Sequence, residues 1–302
     1  MAAKKTIKTW STPVVREETN LVPCALCGGI RFKKALECDG FGYVTCAGCG
    51  LVQMNPQPQS AQVMRRYEQT HGTDYFAYER ANEENFLRLQ TLALKDAGFK
   101  RLERQLFRQS RRAGRTAAPA VLDIGCATGT LLCELKRRGW TACGVEISPS
   151  AEYARNVRSL DVRSLPLEQN NFAPESFDVV LASHLIEHLN DPALFAREVF
   201  RVLKRNGRLY ITTPNIAGFQ ARVFGGAWRS AIFDHLYLFS IKTLKALLSR
   251  AGFRIERVRT WGGLAAGAVP GKAARWLKKF ADNAVKCLGQ GDVMIIRARK
   301  PE

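Results

Sequence analysis

Three clusters in this chain combine residue types and spacings that could do chemistry. Cys24-x-x-Cys27 and Cys46-x-x-Cys49 are two thiol pairs with 18 residues between them, and each pair is followed by a glycine, Gly28 or Gly50, that lets the chain turn. Four thiolates at that spacing close a tetrahedral zinc site with no open position, so Cys24, Cys27, Cys46 and Cys49 are expected to organise a zinc-ribbon lobe and not to catalyse. "VLDIGCATGTL", residues 121–131, is an apolar stretch running into a glycine turn. A ligand can approach the backbone closely there. The acidic Asp123 would repel a pyrophosphate, so a ligand with a cationic amine or sulfonium is the better match. "HLIEH", His184 to His188, has the H-x-x-E-H form of inverted zinc proteases.

That last motif needs a continuous helix with both histidines one turn apart on one face. Asn190, Asp191 and Pro192 interrupt any such helix, and no third distal ligand is evident. A metallopeptidase is therefore excluded.

The elements that must hold these clusters follow from the pattern. "VQMNPQPQ" reads as an extended linker, and residues 60–113 as helices. From Ala120, strands and helices alternate: "AVLDIG", "TLLCELKRRG", "ACGVEI", then "SPSAEYARNV" with Ser148 as N-cap and Pro149 at its first position. "FDVVLAS", "DPALFAREVFRVLKRNG" with Gly207 past its end, "RLYITTP", "IKTLKALLSRAG", "FRIERVRT" and "DVMIIRARK" continue the alternation. This predicts an α/β fold, a Rossmann-like doubly wound sheet dominated by parallel strands. The expected domains are a zinc-ribbon lobe over 1–56, a helical linker or lid over 57–117, and a Rossmann-like domain over 118–302. Ligands of such sheets bind at the carboxyl ends of the strands. Glu146 ends the second strand, where a carboxylate can accept from ribose hydroxyls.

Composition bounds the partners. The net charge is +19, yet residues 121–196 hold 6 Lys/Arg against 10 Asp/Glu, so the basic excess lies in the flanks. It favours an anionic partner or a phosphate-bearing substrate. No run of about 18 apolar residues occurs, and nine cysteines fit a reducing compartment, so a cytoplasmic protein is expected. Within "GKAARWLKKFADNAVKCLG", Trp276, Leu277, Phe280, Ala284 and Leu288 share one helical face and lysines the others. Such a helix either lies on anionic lipid at the inner face of the membrane or packs on the sheet.

"VLDIGCATGTL", "GVEISPS", "SFDVVLASHLIEHLNDP" and "FRVLKRNGRLYITTPN" occur in order, and together they resemble the motifs of class I S-adenosylmethionine-dependent methyltransferases. The resemblance covers residues 119–260 and implies their seven-stranded sheet. It implies that Gly125, Cys126, Ala127 and Gly129 cradle S-adenosyl-L-methionine, that Asp123 serves its amino-acid end, and that Glu146, with Ile147 beside it, holds its ribose. Leu167 and Glu168 would edge the adenine, and Ser183 closes the fourth strand at the pocket. There His184 becomes the candidate general base for a hydroxyl nucleophile, since imidazole titrates near neutral pH, while His188 is expected to pack.

The whole chain resembles a narrower group, bacterial methyltransferases with an N-terminal zinc ribbon that act on glycans or natural products. "CGLVQMNPQP", "DYFAYE" and "DHLYLFSIKTLKALLSRAGF" carry that likeness. It implies a small-molecule or glycan acceptor, lipid-linked in some members, with Tyr75 and Tyr78 as a lid and His235 and Tyr237 on the acceptor side. Trp228 stands seven residues before His235, farther than the group's usual spacing. The alternative is an RNA methyltransferase using the basic flanks for phosphates; against it, no aromatic-basic platform for bases is present.

Overall fold

The computed structural model describes residues 19–59, 61–63, 65, 70–112, 117–262 and 289–302. Trp276, Leu277, Phe280, Ala284 and Leu288, and the side chain of Tyr75, lie outside the described residues.

The N-terminal lobe is a small antiparallel structure. β1 (Thr19–Asn20) precedes the cysteines, and β2 (Phe32–Cys38) and β3 (Phe41–Cys46) form a hairpin between the two pairs. β4 (Val52–Met54) pairs with β3, and β5 (Gln57–Pro58) returns to β1. The stretch read as an extended linker is therefore corrected to sheet. The reason is Gln53, fully buried, whose amide nitrogen donates to the Val22 and Pro23 carbonyls while its oxygen accepts from the Ala25 N–H. Polarity in the sequence concealed a buried glutamine that ties the chain on itself.

Two helices follow, α1 (Thr70–Asp96) and α2 (Phe99–Arg112). Phe99 and Leu102 bury one face of α2, and Phe99 stacks on Trp140 with ring centroids 5.6 Å apart. Beyond them, β6 (Ala120–Ile124), α3 (Thr130–Arg137), β7 (Thr141–Val145), α4 (Ser150–Asn156) and β8 (Asp161–Arg163) wind one half of the main sheet. Then β9 (Phe177–Ser183), α5 (Pro192–Val202), β10 (Leu203–Pro214), α6 (Phe219–Phe224), β11 (Tyr237–Leu238), α7 (Ile241–Arg250), β12 (Arg254–Trp261) and β13 (Val293–Arg299) complete the chain.

Seven strands form the main sheet in the order β12-β13-β10-β9-β6-β7-β8. The five from β10 to β8 are parallel, and β13 is antiparallel to both its neighbours. This is the expected Rossmann-like sheet. β6 can sit in the middle of the five parallel strands because Val121, Leu122 and Ile124 are buried, as a strand covered on both faces requires. The chain runs from β6 outward to β8, then returns to β9 on the other side of β6. The crevice of such a sheet therefore opens at the carboxyl ends of β6 and β9.

Two local expectations are corrected. α5 stops at Val202 instead of running to Gly207; Leu203 already pairs with Phe177, and residues 204–207 bulge out of the β9–β10 ladder. Gly207 belongs to that bulge, where a Cβ would meet the Lys204 carbonyl at 2.8 Å and the Asp178 carbonyl at 3.2 Å. α4 begins at Ser150, with the Ser148 hydroxyl accepting from the Ser150 N–H.

The lobe is not separate from the main domain. β11, far along the chain, adds the fourth strand to the lobe sheet, in the order β11-β4-β3-β2. Tyr43, fully buried, donates its hydroxyl to the carbonyls of Ile232 and His235, and Arg250 donates to the Leu26 carbonyl.

Candidate active site

At the carboxyl ends of β6 and β7 the backbone makes a shaped cradle. Gly125 and Gly129 both have positive φ, as expected of a tight turn. A Cβ at Gly129 would lie 2.4 Å from Leu160 Cδ1, so any other residue must displace that buried side chain while holding a backbone conformation that L residues rarely adopt. Ala127 between them also has positive φ, at 50°. Its N–H donates to Glu146 Oε2 at 2.9 Å, and Glu146 Oε1 accepts from the Ser148 N–H at 2.9 Å. Glu146 thereby holds the turn while keeping lone pairs for further donors. Cys126 is buried under the turn, its Sγ 2.6 Å from where a Gly144 Cβ would stand.

Asp123 is 2% exposed, and its carboxylate takes no hydrogen bond from any described residue. Burial, then the nearby Glu146, raise its pKa to about 7. A buried carboxyl without a donor favours a cationic ligand group. Leu167 lies in a short 3₁₀ turn, Leu167–Gln169, with its side chain in the core, and Glu168 beside it is exposed.

α1 closes this edge with residues that the sequence reading passed over. Glu79, 7% exposed, accepts from the Ser150 hydroxyl at 2.6 Å. Burial, together with Glu146 and Glu83, raises its pKa to about 7 against that hydrogen bond. Glu83 pairs with Arg158 at 2.6 Å, and Arg80 lies 4.3 Å over the Tyr153 ring. Tyr78, expected in a lid, is exposed and packs on Phe86 of its own helix.

Across the crevice, at the end of β9, Ser183 leads into His184, whose φ is 51°. A left-handed histidine costs on the order of 1 kcal/mol or more, so the surrounding structure must enforce it. The His184 N–H donates to the Thr212 carbonyl at 2.9 Å. Its Nδ1 lies 3.2 Å from Glu187 Oε1, and the other carboxylate oxygen accepts from the Thr213 hydroxyl at 2.9 Å. The His184 side chain is 48% exposed; that of Glu187 is not exposed at all. Nδ1 donates to a carboxylate, so a neutral His184 keeps its lone pair on Nε2 of the half-exposed ring.

His188, His235 and Tyr237 stand behind this pair. His188 Nδ1 donates to the Asp234 carbonyl at 2.9 Å, and His235 Nδ1 to the Ser230 carbonyl at 2.8 Å. The two rings meet edge to face, 4.7 Å apart. Burial, then His188, lowers the His235 pKa to about 4, so it stays neutral. Glu187, His188 and His235 bring three potential ligand atoms within 4.8 Å of one another, but both carboxylate oxygens and both Nδ1 atoms already have partners. Tyr237, 2% exposed, donates to the Asn190 carbonyl. His235 and Tyr237, expected to line the acceptor side, are thus buried supports. Trp228 is likewise buried and donates to Asp292 Oδ1 at 2.6 Å.

The four lobe cysteines converge as their spacing implies. Cys24 Sγ lies 3.4 Å from Cys49 Sγ, Cys27 Sγ 3.5 Å from Cys46 Sγ, and all four sulfurs fall within 4.8 Å. Those separations are far too long for disulfides and close to the roughly 3.8 Å edge of a tetrahedron with 2.3 Å metal–sulfur bonds. Cys38 stands apart, facing the Gly226 carbonyl.

Comparison with known proteins bears on the family and the fold. The sequence model of a family described as "Methyltransferase domain" matches residues 71–258. A ubiquinone biosynthesis O-methyltransferase of Xanthomonas euvesicatoria pv. vesicatoria is 30% identical over 160 residues, covering 47% of this chain and 65% of that protein. The chain spans less than two thirds of the length of the curated relatives it matches. Among solved structures, a Haemonchus contortus phosphoethanolamine N-methyltransferase 2 in complex with S-adenosyl-L-methionine superposes with a TM-score of 0.55 at 19% identity, over 83% of this chain and 63% of that one. A possible histamine N-methyltransferase of Thermotoga maritima gives 0.50 at 24% identity, over 76% and 98%. At such identities these two likenesses speak for the fold alone.

Proposed function

Because the chain belongs to the methyltransferase-domain family, we propose that it transfers the methyl group of S-adenosyl-L-methionine to a hydroxyl oxygen of a small-molecule or glycan acceptor, with His184 as the base. One observation carries this reading. A glycine cradle with two carboxylates and a half-exposed histidine, its Nε2 without a partner among the described residues, stand on the same edge of the sheet, at the carboxyl ends of β6, β7 and β9.

The residues fit the cofactor. Gly125, Cys126, Ala127 and Gly129 leave backbone room, Asp123 offers a buried carboxyl to an ammonium or sulfonium, and Glu146, with Ile147 beside it, has lone pairs for ribose hydroxyls. Leu167, Glu168 and Ser183 complete the proposed contact set. The bound cofactor supplies an activated methyl group. The protein's part is to orient the acceptor and to take its proton at His184 Nε2.

The O-methyltransferase names of the curated relatives support oxygen as the acceptor atom. A lipid-linked sugar met at the inner face of the membrane, by an otherwise cytoplasmic protein, belongs to the same proposal. No described helix is long and apolar enough to cross a membrane. Cys24, Cys27, Cys46 and Cys49 hold one structural zinc.

RNA is the weaker acceptor. The described arginine-lined clefts, with Arg101, Arg104, Arg108 and Arg112 in one and Arg205, Arg208 and Arg299 in the next, adjoin the amino ends of β9 and β10. Phosphates held there would be about a strand's length from His184.

Supplying labelled S-adenosyl-L-methionine and following the label into glycolipid, small-molecule and RNA fractions tests the reading. Label in the first two is expected. Label in RNA overturns the acceptor, and no calorimetric binding of the cofactor overturns the activity.

A further inference from the structure

Glu187 is a buried carboxylate without a lysine or arginine partner among the described residues. Burial raises its pKa, but the His184 hydrogen bond and charge, followed by His188 and His235, bring it down to about 2. It is therefore ionised at every working pH. The titratable groups facing it are His184 and His188 of its own loop and His235 of the segment before β11; β10 contributes the Thr213 hydroxyl. His235 is too buried to become the balancing cation, and His188 has its Nδ1 turned to the Asp234 carbonyl. His184 alone combines a direct bond to Glu187 with a half-exposed ring.

We infer that Glu187 is a positioning residue for methyl transfer: its carboxylate fixes the His184 ring through Nδ1, aims Nε2 at the acceptor, and balances the imidazolium that forms when His184 takes the acceptor's proton. This rests on the reading of His184 as the base. As the acceptor oxygen bonds to the methyl carbon, the carbon–sulfur bond breaks with its electron pair going to sulfur, and the hydroxyl proton passes to Nε2. The cation left on His184 lies 3.2 Å from a carboxylate that was already charged. Charge separation is thus replaced by charge pairing at the step where the proton moves. Thr213 holds the far oxygen, so the carboxylate cannot turn away. The left-handed backbone at His184 is the local distortion that brings its ring back over Glu187.

Nitrogen-15 NMR of the histidine rings in the full-length protein tests this without knowledge of the acceptor. The neutral His184 ring should be the Nδ1–H tautomer. In Glu187→Gln the preference for that tautomer should weaken and the Nε2–H form should become populated, because the ionic acceptor is gone. The cofactor dissociation constant should stay within about twofold, since Glu187 stands across the crevice from the cradle. An Nε2–H tautomer in the wild type, or unchanged tautomer populations in the variant, overturns the inference. The wild-type tautomer is decisive even if Glu187→Gln fails to fold.

Once an acceptor is known, Glu187→Gln should lower turnover by about 10-fold or more in the wild-type background and by less than about threefold in His184→Ala. Equal losses in both backgrounds overturn positioning through His184. If the tautomers behave as stated but His184→Ala retains normal turnover, the base assignment has failed and the ring–carboxylate pairing has not.

Discussion

The two sides of the crevice are built by opposite methods. On the β6–β7 side the cradle comes from one contiguous turn plus a strand end 19 residues away, and its main contacts are backbone N–H groups on Glu146. On the β9–β10 side the contacts are made by side chains, on one another and on backbone carbonyls, and they join loops up to 46 residues apart, as in the bond from His188 to the Asp234 carbonyl. A cradle made of backbone tolerates little change of shape, whereas a side-chain network tolerates changes of shape better than changes of charge. The first kind suits a ligand of constant form. The second can be retuned for different acceptors without disturbing the first.

Gly129→Val should break the cradle most severely, because the new Cβ would start 2.4 Å from Leu160 in a backbone conformation hostile to β-branched residues. Soluble protein, if obtained, should lose cofactor affinity by about 100-fold or more in calorimetry, while Thr213→Val leaves it nearly unchanged. Equal losses from both variants would abolish the distinction between the two sides.

Cys46→Ala should remove the zinc, as metal analysis of reductively purified protein would record, and lower the melting temperature. Because β11 belongs to the lobe sheet and the Leu236 N–H donates to the Glu187 carbonyl, the damage should reach the β9–β10 side. Turnover should collapse while cofactor affinity falls by less than about threefold. A lobe that melts alone, with turnover intact, would contradict that connection.

Glu146→Ala should cost about 2 kcal/mol, roughly 30-fold in cofactor affinity, by removing a charged acceptor and loosening the turn that it holds. Unchanged affinity would remove Glu146 from the ligand's neighbourhood.

The smallest effect is one of pH. An acid whose pKa is raised in the folded protein favours the fold when protonated, so Asp123 costs stability as pH rises towards and through about 7. A cationic ligand favours the carboxylate instead. Binding should then release a proton, and affinity should increase roughly tenfold from pH 6 to pH 8. Calorimetry in buffers of different ionisation enthalpy would detect the proton, and Asp123→Asn should abolish it. Glu79→Gln is the control, since Glu79 titrates in the same range.

The cradle was legible in the sequence because its parts lie in short, ordered motifs whose glycines have one physical reason to be there. The cysteine cluster was legible for the same reason of local spacing. Glu79, Glu187 and Thr213 were not. Nothing in "DYFAYE" says that the helix buries Glu79 against Ser150, and "HLIEH" drew attention to its histidines when its glutamate is the buried centre. His235 and Tyr237 were assigned to the acceptor because their positions, not their environments, could be read. Gln53 and Gly207 failed in the same way, since a polar residue that bonds internally and a glycine required by a bulge look like a linker and a helix end.

The strand that β11 lends to the lobe sheet also sets an order of events during synthesis. Tyr43 and His235, joined by a hydrogen bond in the finished molecule, are 192 positions apart. At ribosomal speeds the later residue emerges on the order of ten seconds or more after the earlier one. For that interval β4 is an uncovered sheet edge, able to pair with any other extended chain. The thiol cluster is complete long before its sheet is, so the vulnerable intermediate of this protein is a finished cysteine hairpin waiting for its last strand.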